Sequence, residues 1–319
     1  MADFVALVSQ LSPVVFAVGG DDARRAEATL QAAAGGEPEL HVTVFNSRVT
    51  CPYSLMFAAL DVVRATKGCN RLMSSREQAG AFLERYLQAL LPYFNAEDPA
   101  VSKTLLQSLT HSFARVYKLC SMWHVDHPMP PVATLMRLSP VPSSGSLASP
   151  SSRSAVPFLN ALVMEHNAFD SSRSNIYMTF SNHRKASSTF RDQSLKLIFS
   201  HLLQHLRTLE PSIVSNECQY SLAVCEGVRN ALLYDFMAII VDETEETFVS
   251  QYPSDWRDIL CDIGLVTVIC DQQERLPPPL CTHLLKGMVG LIGTRRSFFE
   301  TNDSKTNWVD FFMRRLTVM

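Results

Sequence analysis

Apolar residues recur at helical spacing along most of this chain, and run after run stops at a proline or glycine. Between Gln78 and Leu91, the residues Phe82, Leu83, Tyr86, Leu87, Leu90 and Leu91 form one stripe on one helix, which Pro92 ends. From Val101 to Cys120 the set Leu105, Leu106, Leu109, Phe113, Val116, Tyr117 and Cys120 repeats the pattern after an Asp98-Pro99 start. A third stripe, Leu195, Ile198, Phe199, Leu202, Leu203, Leu206 and Leu209, runs from Phe190 to Leu209 before Pro211. Weaker helices are expected over Asp22 to Ala34, Tyr53 to Ala65, Asn216 to Phe236, Ser254 to Cys270, Pro279 to Ile292 and Lys305 to Val318. The breaks are short: Gly35-Gly36, Gly68, Pro92, Pro211, Pro253 and Pro277-Pro278-Pro279. No alternating apolar run is long enough for a central strand.

The predicted fold class is therefore all-α: an α-solenoid of HEAT-type antiparallel helix pairs, each about 40 residues. An ordinary helical globule has the same periodicity and stays open at this point. Only 12 glycines in 319 residues argue against sandwiches and barrels, which spend glycine on turns and bulges. A hydrophobic fraction of 47% against 18% charged residues describes a folded chain with a sizeable core.

One stretch departs from this. Ser139 to Pro157, SPVPSSGSLASPSSRSAVP, is Ser/Pro-rich with few large apolar residues, and reads as a disordered, flexible insertion. It divides the chain into N-terminal repeats over 1–138, the loop over 139–157 and further repeats over 158–319. Ser139-Pro140 and Ser149-Pro150 are candidate phosphorylation sites within it, and an inert linker is the plainer reading.

The net charge of −3 and the lack of any Lys/Arg block argue against nucleic acid as a partner. The apolar runs fall short of the roughly 20 residues that cross a bilayer, so no membrane insertion is expected. The N-terminus has no positive segment leading into an apolar one, so it does not read as secretory, and a reducing compartment follows. The eight cysteines include no C-x-x-C pair and are expected as small buried thiols.

No residue set points to catalysis, and neither a metal nor a cofactor is assigned. Ser144-Gly145-Ser146 lacks the strand of a nucleophile elbow. Gly287, Gly290 and Gly293, in GMVGLIG, lack the phosphate-loop spacing and lysine, and mark close helix packing instead. His124, Asp126 and His127 have metal-ligand chemistry but no further ligand at recognisable spacing, so a helix C-terminal turn is the reading taken. His201 and His205 lie at i, i+4 without the glutamate of H-E-x-x-H, and are expected on a solvated edge. Asp242, Glu243, Glu245 and Glu246 read as a solvated acidic loop, and Arg295-Arg296 as a basic pair at a helix end.

Several stretches carry a family resemblance. His183-Arg184-Lys185, then Phe190-Arg191-Asp192 and Ser194-Leu195, resemble the HRK…FRD…SL segment of the exportin-7 branch of the importin-β superfamily. Tyr234-Asp235-Phe236, the acidic loop, Pro253-Ser254-Asp255-Trp256-Arg257, Leu276-Pro277-Pro278 and Thr294-Arg295-Arg296-Ser297-Phe298-Phe299 follow in that branch's order. Ala26-Glu27-Ala28-Thr29-Leu30, Tyr53-Ser54 and Ala114-Arg115-Val116-Tyr117-Lys118-Leu119 are similar to its first repeats, and the tract Phe158 to Phe180 fits least. The resemblance implies a HEAT-repeat nuclear transport receptor that is not an enzyme. Such a receptor binds GTP-loaded Ran and protein cargo, meets Phe-Gly nucleoporins, and shuttles between nucleus and cytoplasm. It also implies that helices between Asp22 and Cys120 face Ran, without naming contact residues. The family's members are much longer, so the chain is expected to correspond to the N-terminal portion of such a receptor, C-terminally truncated and with an apolar end face. A helical-repeat scaffold blind to the Ran nucleotide is the alternative.

Overall fold

The computed structural model describes residues 1–17, 20–95, 103–124, 128–143, 146–167, 178–211, 218–236 and 252–318. Among these the chain is all-α, with no β-strand. The helices are α1 (Ala2–Val15), α2 (Asp21–Ala34), α3 (Pro38–Asn46), α4 (Pro52–Lys67), α5 (Asn70–Ser74), α6 (Arg76–Leu90), α7 (Pro92–Asn95), α8 (Lys103–Trp123) and α9 (Pro130–Leu138). They continue with α10 (Pro150–Asn167), α11 (Phe180–Phe190), α12 (Lys196–Thr208), α13 (Cys218–Leu232), α14 (Arg257–Leu260), α15 (Ile263–Arg275), α16 (Leu280–Ile292) and α17 (Asn302–Val318).

Several helices missed in the sequence have prolines that start them. Pro38, Pro130 and Pro150 open α3, α9 and α10, as Pro52 opens α4. There the missing N–H would be unpaired anyway, and the fixed φ suits the first turn. Three expectations are corrected by local chemistry. The helix expected over Ser254 to Cys270 is broken, because the Asp262 side chain accepts from the Gly264 N–H and caps a new helix. The helix expected from Phe190 instead begins at Phe180 and passes through a π turn at Arg191–Leu195 before α12. The Ser/Pro stretch is not a loop throughout: Pro150–Pro157 lies within α10. The Ser149 hydroxyl accepts from the Ser152 N–H at 3.1 Å and caps it.

Contacts divide the chain into two compact units: Met1–Thr134 with Asp170–Ala186, and Leu135–Phe169 with Ser187–Met319. The main boundary falls at Thr134 rather than after 138, and 170–186 joins the first unit rather than the later repeats. In the first unit α3 packs on α6 and α4 on α8, while α3 also packs on α4 and α6 on α8, giving stacked pairs. Their buried stripes meet in an aromatic core of Phe45, Tyr86 and Phe113, where the Tyr86 and Ser112 hydroxyls hydrogen-bond at 2.8 Å.

In the second unit α10, α13 and α16 form one row, and α12, α15 and α17 another. The rows meet where α12 packs on α13 and α15 on α16. This two-row layering is the packing of an all-α solenoid. Glycines let helices approach closely, both between the rows and within one. A Cβ on Gly227 would stand 2.6 Å from Leu202 Cδ1, and one on Gly290 3.3 Å from the Leu232 carbonyl oxygen. Of the GMVGLIG glycines, Gly287 and Gly290 serve close helix packing, and Gly293 caps the end of α16.

Candidate functional site

Of the residues that carry the family resemblance, several of those from Phe190 onward, distant in sequence, converge in the second unit. Phe236, from the YDF segment, meets Trp256, from PSDWR, with ring centroids 5.2 Å apart, and Tyr252 at 5.1 Å. Trp256 stacks on Phe199 at 5.3 Å. Tyr252 contacts Phe298, of the TRRSFF segment, at 5.8 Å, and Phe299 reaches Trp308 at 5.6 Å. Edge-to-face and offset pairs of this kind add about 0.5–1.5 kcal/mol each beyond area burial.

Polar atoms of the same motifs lock the aromatic ladder to backbone. Arg191, in the π turn, pairs with Asp192 and donates from Nη1 to the Phe236 carbonyl. The Tyr234 hydroxyl donates to the Ser187 carbonyl at 3.0 Å; burial pushes its phenol up, so it stays a donor. Arg257 Nε donates to the Phe298 carbonyl at 2.7 Å, and Lys196 Nζ pairs with Asp258 at 2.9 Å. The motif series is thus a packing code. It holds α12, α13 and α14 to the segment before α17.

His183, the first residue of the HRK segment, lies in the first unit and is buried. Its Nδ1 accepts from Lys118 Nζ at 2.8 Å in the interior. Burial and then the lysine charge push its imidazole down to about 3. Arg184 and Lys185, beside it, are exposed.

The His201–His205 pair is not on a solvated edge, because it anchors the end of α9. His201 Nε2 lies 2.7 Å from Ser139 Oγ, and His205 Nε2 3.1 Å from the Ser139 carbonyl oxygen. The Tyr220 hydroxyl closes the network on His205 Nδ1 at 2.6 Å. Burial pushes both imidazoles down, His205 to about 4. Ser139 is fully buried, so the Ser139-Pro140 dipeptide is closed to a kinase in the folded chain. Of the His124 cluster, His124 bonds the Leu72 carbonyl at 3.0 Å; Asp126 and His127 lie outside the described residues, as does the acidic loop at 242–246. Among the described residues no three His, Cys, Asp or Glu side chains gather as metal ligands, and no helix is long and apolar enough to cross a membrane.

The first unit carries two adjoining concavities that motif reading missed. One is an apolar slot of about 160 Å³ bounded by Leu72, Met73, Met122, Trp123 and Met178, with Lys67 at its edge. The other is a polar cleft of about 400 Å³ bounded by Gly35–Glu37, Arg64 and Gly68–Arg71. Arg64 is held at the cleft by the buried Asp61 carboxylate, 2.6 Å from its Nε. Burial pushes the Asp61 carboxyl up, but His41 and Arg64 outweigh it and hold it below its ordinary value. The two cationic residues in the last turn of α4, Arg64 and Lys67, are a sequence signal that went unread.

Fold and packing define an all-α helical-repeat protein. Over 46% of its length the chain is similar to transport-receptor sequences: 30% identical across 151 residues to Ran-binding protein 17 of Homo sapiens, covering 13% of that protein. It is 28% identical across 150 residues to Exportin-7-B of Xenopus laevis, and 28% across 155 residues to Ran-binding protein 16 of Drosophila melanogaster. These matches take in 13% and 14% of the two proteins, so the chain spans a small part of the length of the curated relatives it matches. No family model and no solved structure matches the chain.

Proposed function

We propose that this chain acts as a nuclear transport receptor of the exportin type. It binds GTP-loaded Ran together with protein cargo and carries the cargo from nucleus to cytoplasm, with weak contacts to Phe-Gly nucleoporins on the way. The observation that carries this reading is the similarity to exportin-7 and the Ran-binding proteins 16 and 17. Support also comes from the clasp around Trp256, where Phe236, Trp256 and Phe298, from three of the segments behind the resemblance, share one packed cluster.

The mechanism is linkage. Ran-GTP and cargo each favour the same arrangement of stacked helices, so each raises the other's affinity, and loss of Ran-GTP releases the cargo. No bond is made or broken by the receptor. The Ran-facing role belongs to the first unit, whose helices include the expected stretch from Asp22 to Cys120.

A second reading rests on the all-α packing alone: a helical-repeat scaffold that binds partners whatever nucleotide Ran carries. Capture of purified Ran, loaded with a non-hydrolysable GTP analogue or with GDP, separates the two. The transport reading expects retention of the GTP form alone, and the scaffold reading expects no preference.

A further inference from the structure

Two imidazoles of α12 aim their Nε2 atoms at one spot. His201 and His205 lie one turn apart. Their Nε2 atoms stand 3.2 Å from each other while the ring centroids are 4.7 Å apart, so the rings splay outward from a shared point. Ser139, at the end of α9, faces that point with both of its oxygens. Its carbonyl is 3.1 Å from His205 Nε2, and its hydroxyl 2.7 Å from His201 Nε2. Both rings lie within hydrogen-bonding reach of the carbonyl. All three residues belong to the second unit.

These separations match the edges of a tetrahedral coordination shell. Two ligand atoms about 2.0–2.1 Å from a zinc ion stand about 3.3 Å apart. The gap between the two nitrogens, and the gap from His205 to the carbonyl, fall just short of that edge. The hydroxyl is closer in and bonds the Leu135 carbonyl at 2.7 Å, so it is a hydrogen-bonding neighbour rather than a ligand.

A ligating histidine is normally oriented by a partner on its other ring nitrogen. His205 has one, because the Tyr220 hydroxyl oxygen lies 2.6 Å from its Nδ1. Without an ion, a proton on His205 Nε2 is donated to the Ser139 carbonyl. With an ion, that proton sits on Nδ1 and is donated to the Tyr220 oxygen, which frees the Nε2 lone pair. Burial favours the neutral form of both rings, and the neutral form is the one that ligates. His201 is only half-buried, which leaves an approach from solvent and an open fourth position.

We propose that His201, His205 and the Ser139 carbonyl form a site for one divalent transition-metal ion, with zinc as its occupant and water in the fourth position. The ion ties the end of α9 to α12. Two of the three protein donors are imidazole nitrogens, which suit zinc and not magnesium or calcium. The proposal goes beyond the transport reading and needs neither Ran nor a nucleotide, so the two fail separately.

The test is titration of the full chain with cobalt(II), a spectroscopic stand-in for zinc, and then with zinc itself. One equivalent of cobalt is expected to give the visible absorption of a four-coordinate ion without a thiolate band in the near ultraviolet. Zinc displaces it and raises the thermal midpoint, and magnesium does neither. His201→Gln weakens binding by at least about tenfold, and Tyr220→Phe by about tenfold through the lost outer partner. His124→Gln leaves binding unchanged. X-ray absorption of the zinc-loaded native chain needs no variant, and is expected to count two imidazoles and no sulfur. Sulfur in the shell, fewer than two imidazoles, loss of binding in His124→Gln, full affinity in a folded His201→Gln, or no uptake of either ion overturns the proposal.

Discussion

Phe236 and Trp256 meet at 78° with their ring centroids 5.2 Å apart, joining the segment that leaves α13 to the one that enters α14. On its other side Trp256 stacks on Phe199 of α12. One indole thus ties three parts of the second unit together, and it is 1% exposed.

Trp256→Ala is expected to cost about 3–5 kcal/mol, the range for a buried aromatic replaced by alanine. Urea unfolding followed by circular dichroism reads the loss. A cost below about 1 kcal/mol would mean the aromatic ladder is not the clasp described.

Acid should loosen the fold already between pH 7 and pH 5. His183 and His205 are held down to about 3 and about 4, against an ordinary 6.5. Below pH 6.5 the unfolded chain takes up protons on these imidazoles while the folded chain does not. Stability is therefore present above the unfolded value and falls as pH drops, by up to about 1.4 kcal/mol per pH unit for each group. The urea midpoint is expected to decrease from pH 7 to pH 5, and His205→Gln to flatten that slope. A midpoint that holds or rises would contradict the buried neutral imidazoles.

Ser139 and Ser149, similar in sequence context, are expected to behave differently toward a proline-directed kinase. Ser139 is fully buried against His201, whereas Ser149 is half-buried at the start of α10, where added negative charge suits the helix N-terminus. Mass spectrometry of the native chain should find phosphate on Ser149 and none on Ser139. Ser139→Ala is expected to cost about 1–3 kcal/mol, because it removes a fully buried hydroxyl from its bonds to half-buried His201 and the Leu135 carbonyl.

Gly227→Ala is expected to destabilise by about 1–3 kcal/mol although alanine is the better helix former by about 1 kcal/mol. The added Cβ falls 2.6 Å from a methyl of fully buried Leu202. Gly290→Ala should cost less, since its nearest side-chain neighbour, Leu233, is partly exposed and can swing aside. Thermal melts of the two variants give the order.

Helical content was legible because stripes such as Phe82 to Leu91 are unambiguous at a period of 3.6. Helices that open on a proline were missed, α3 at Pro38, α9 at Pro130 and α10 at Pro150, since the same residue also ends a helix. The motif series was legible as a resemblance, but not as a clasp. Phe199, Phe236, Trp256 and Phe298 come together only through the tertiary arrangement, which periodicity does not encode. Lys118 lies inside the buried run Tyr117 to Met122, and that apolar setting was the signal for an interior lysine. His201 and His205 looked solvated because imidazole is polar; their partners, the Ser139 hydroxyl and carbonyl, stand 62 and 66 residues away in sequence, where spacing on one helix gives no sign of them.

The most direct measurement is calorimetric titration of the full chain with Ran in its two nucleotide states. A transport receptor requires the GTP-loaded form to bind at least tenfold more tightly than the GDP-loaded form, about 1.4 kcal/mol. Equal affinities, or no heat of binding with either, would contradict it.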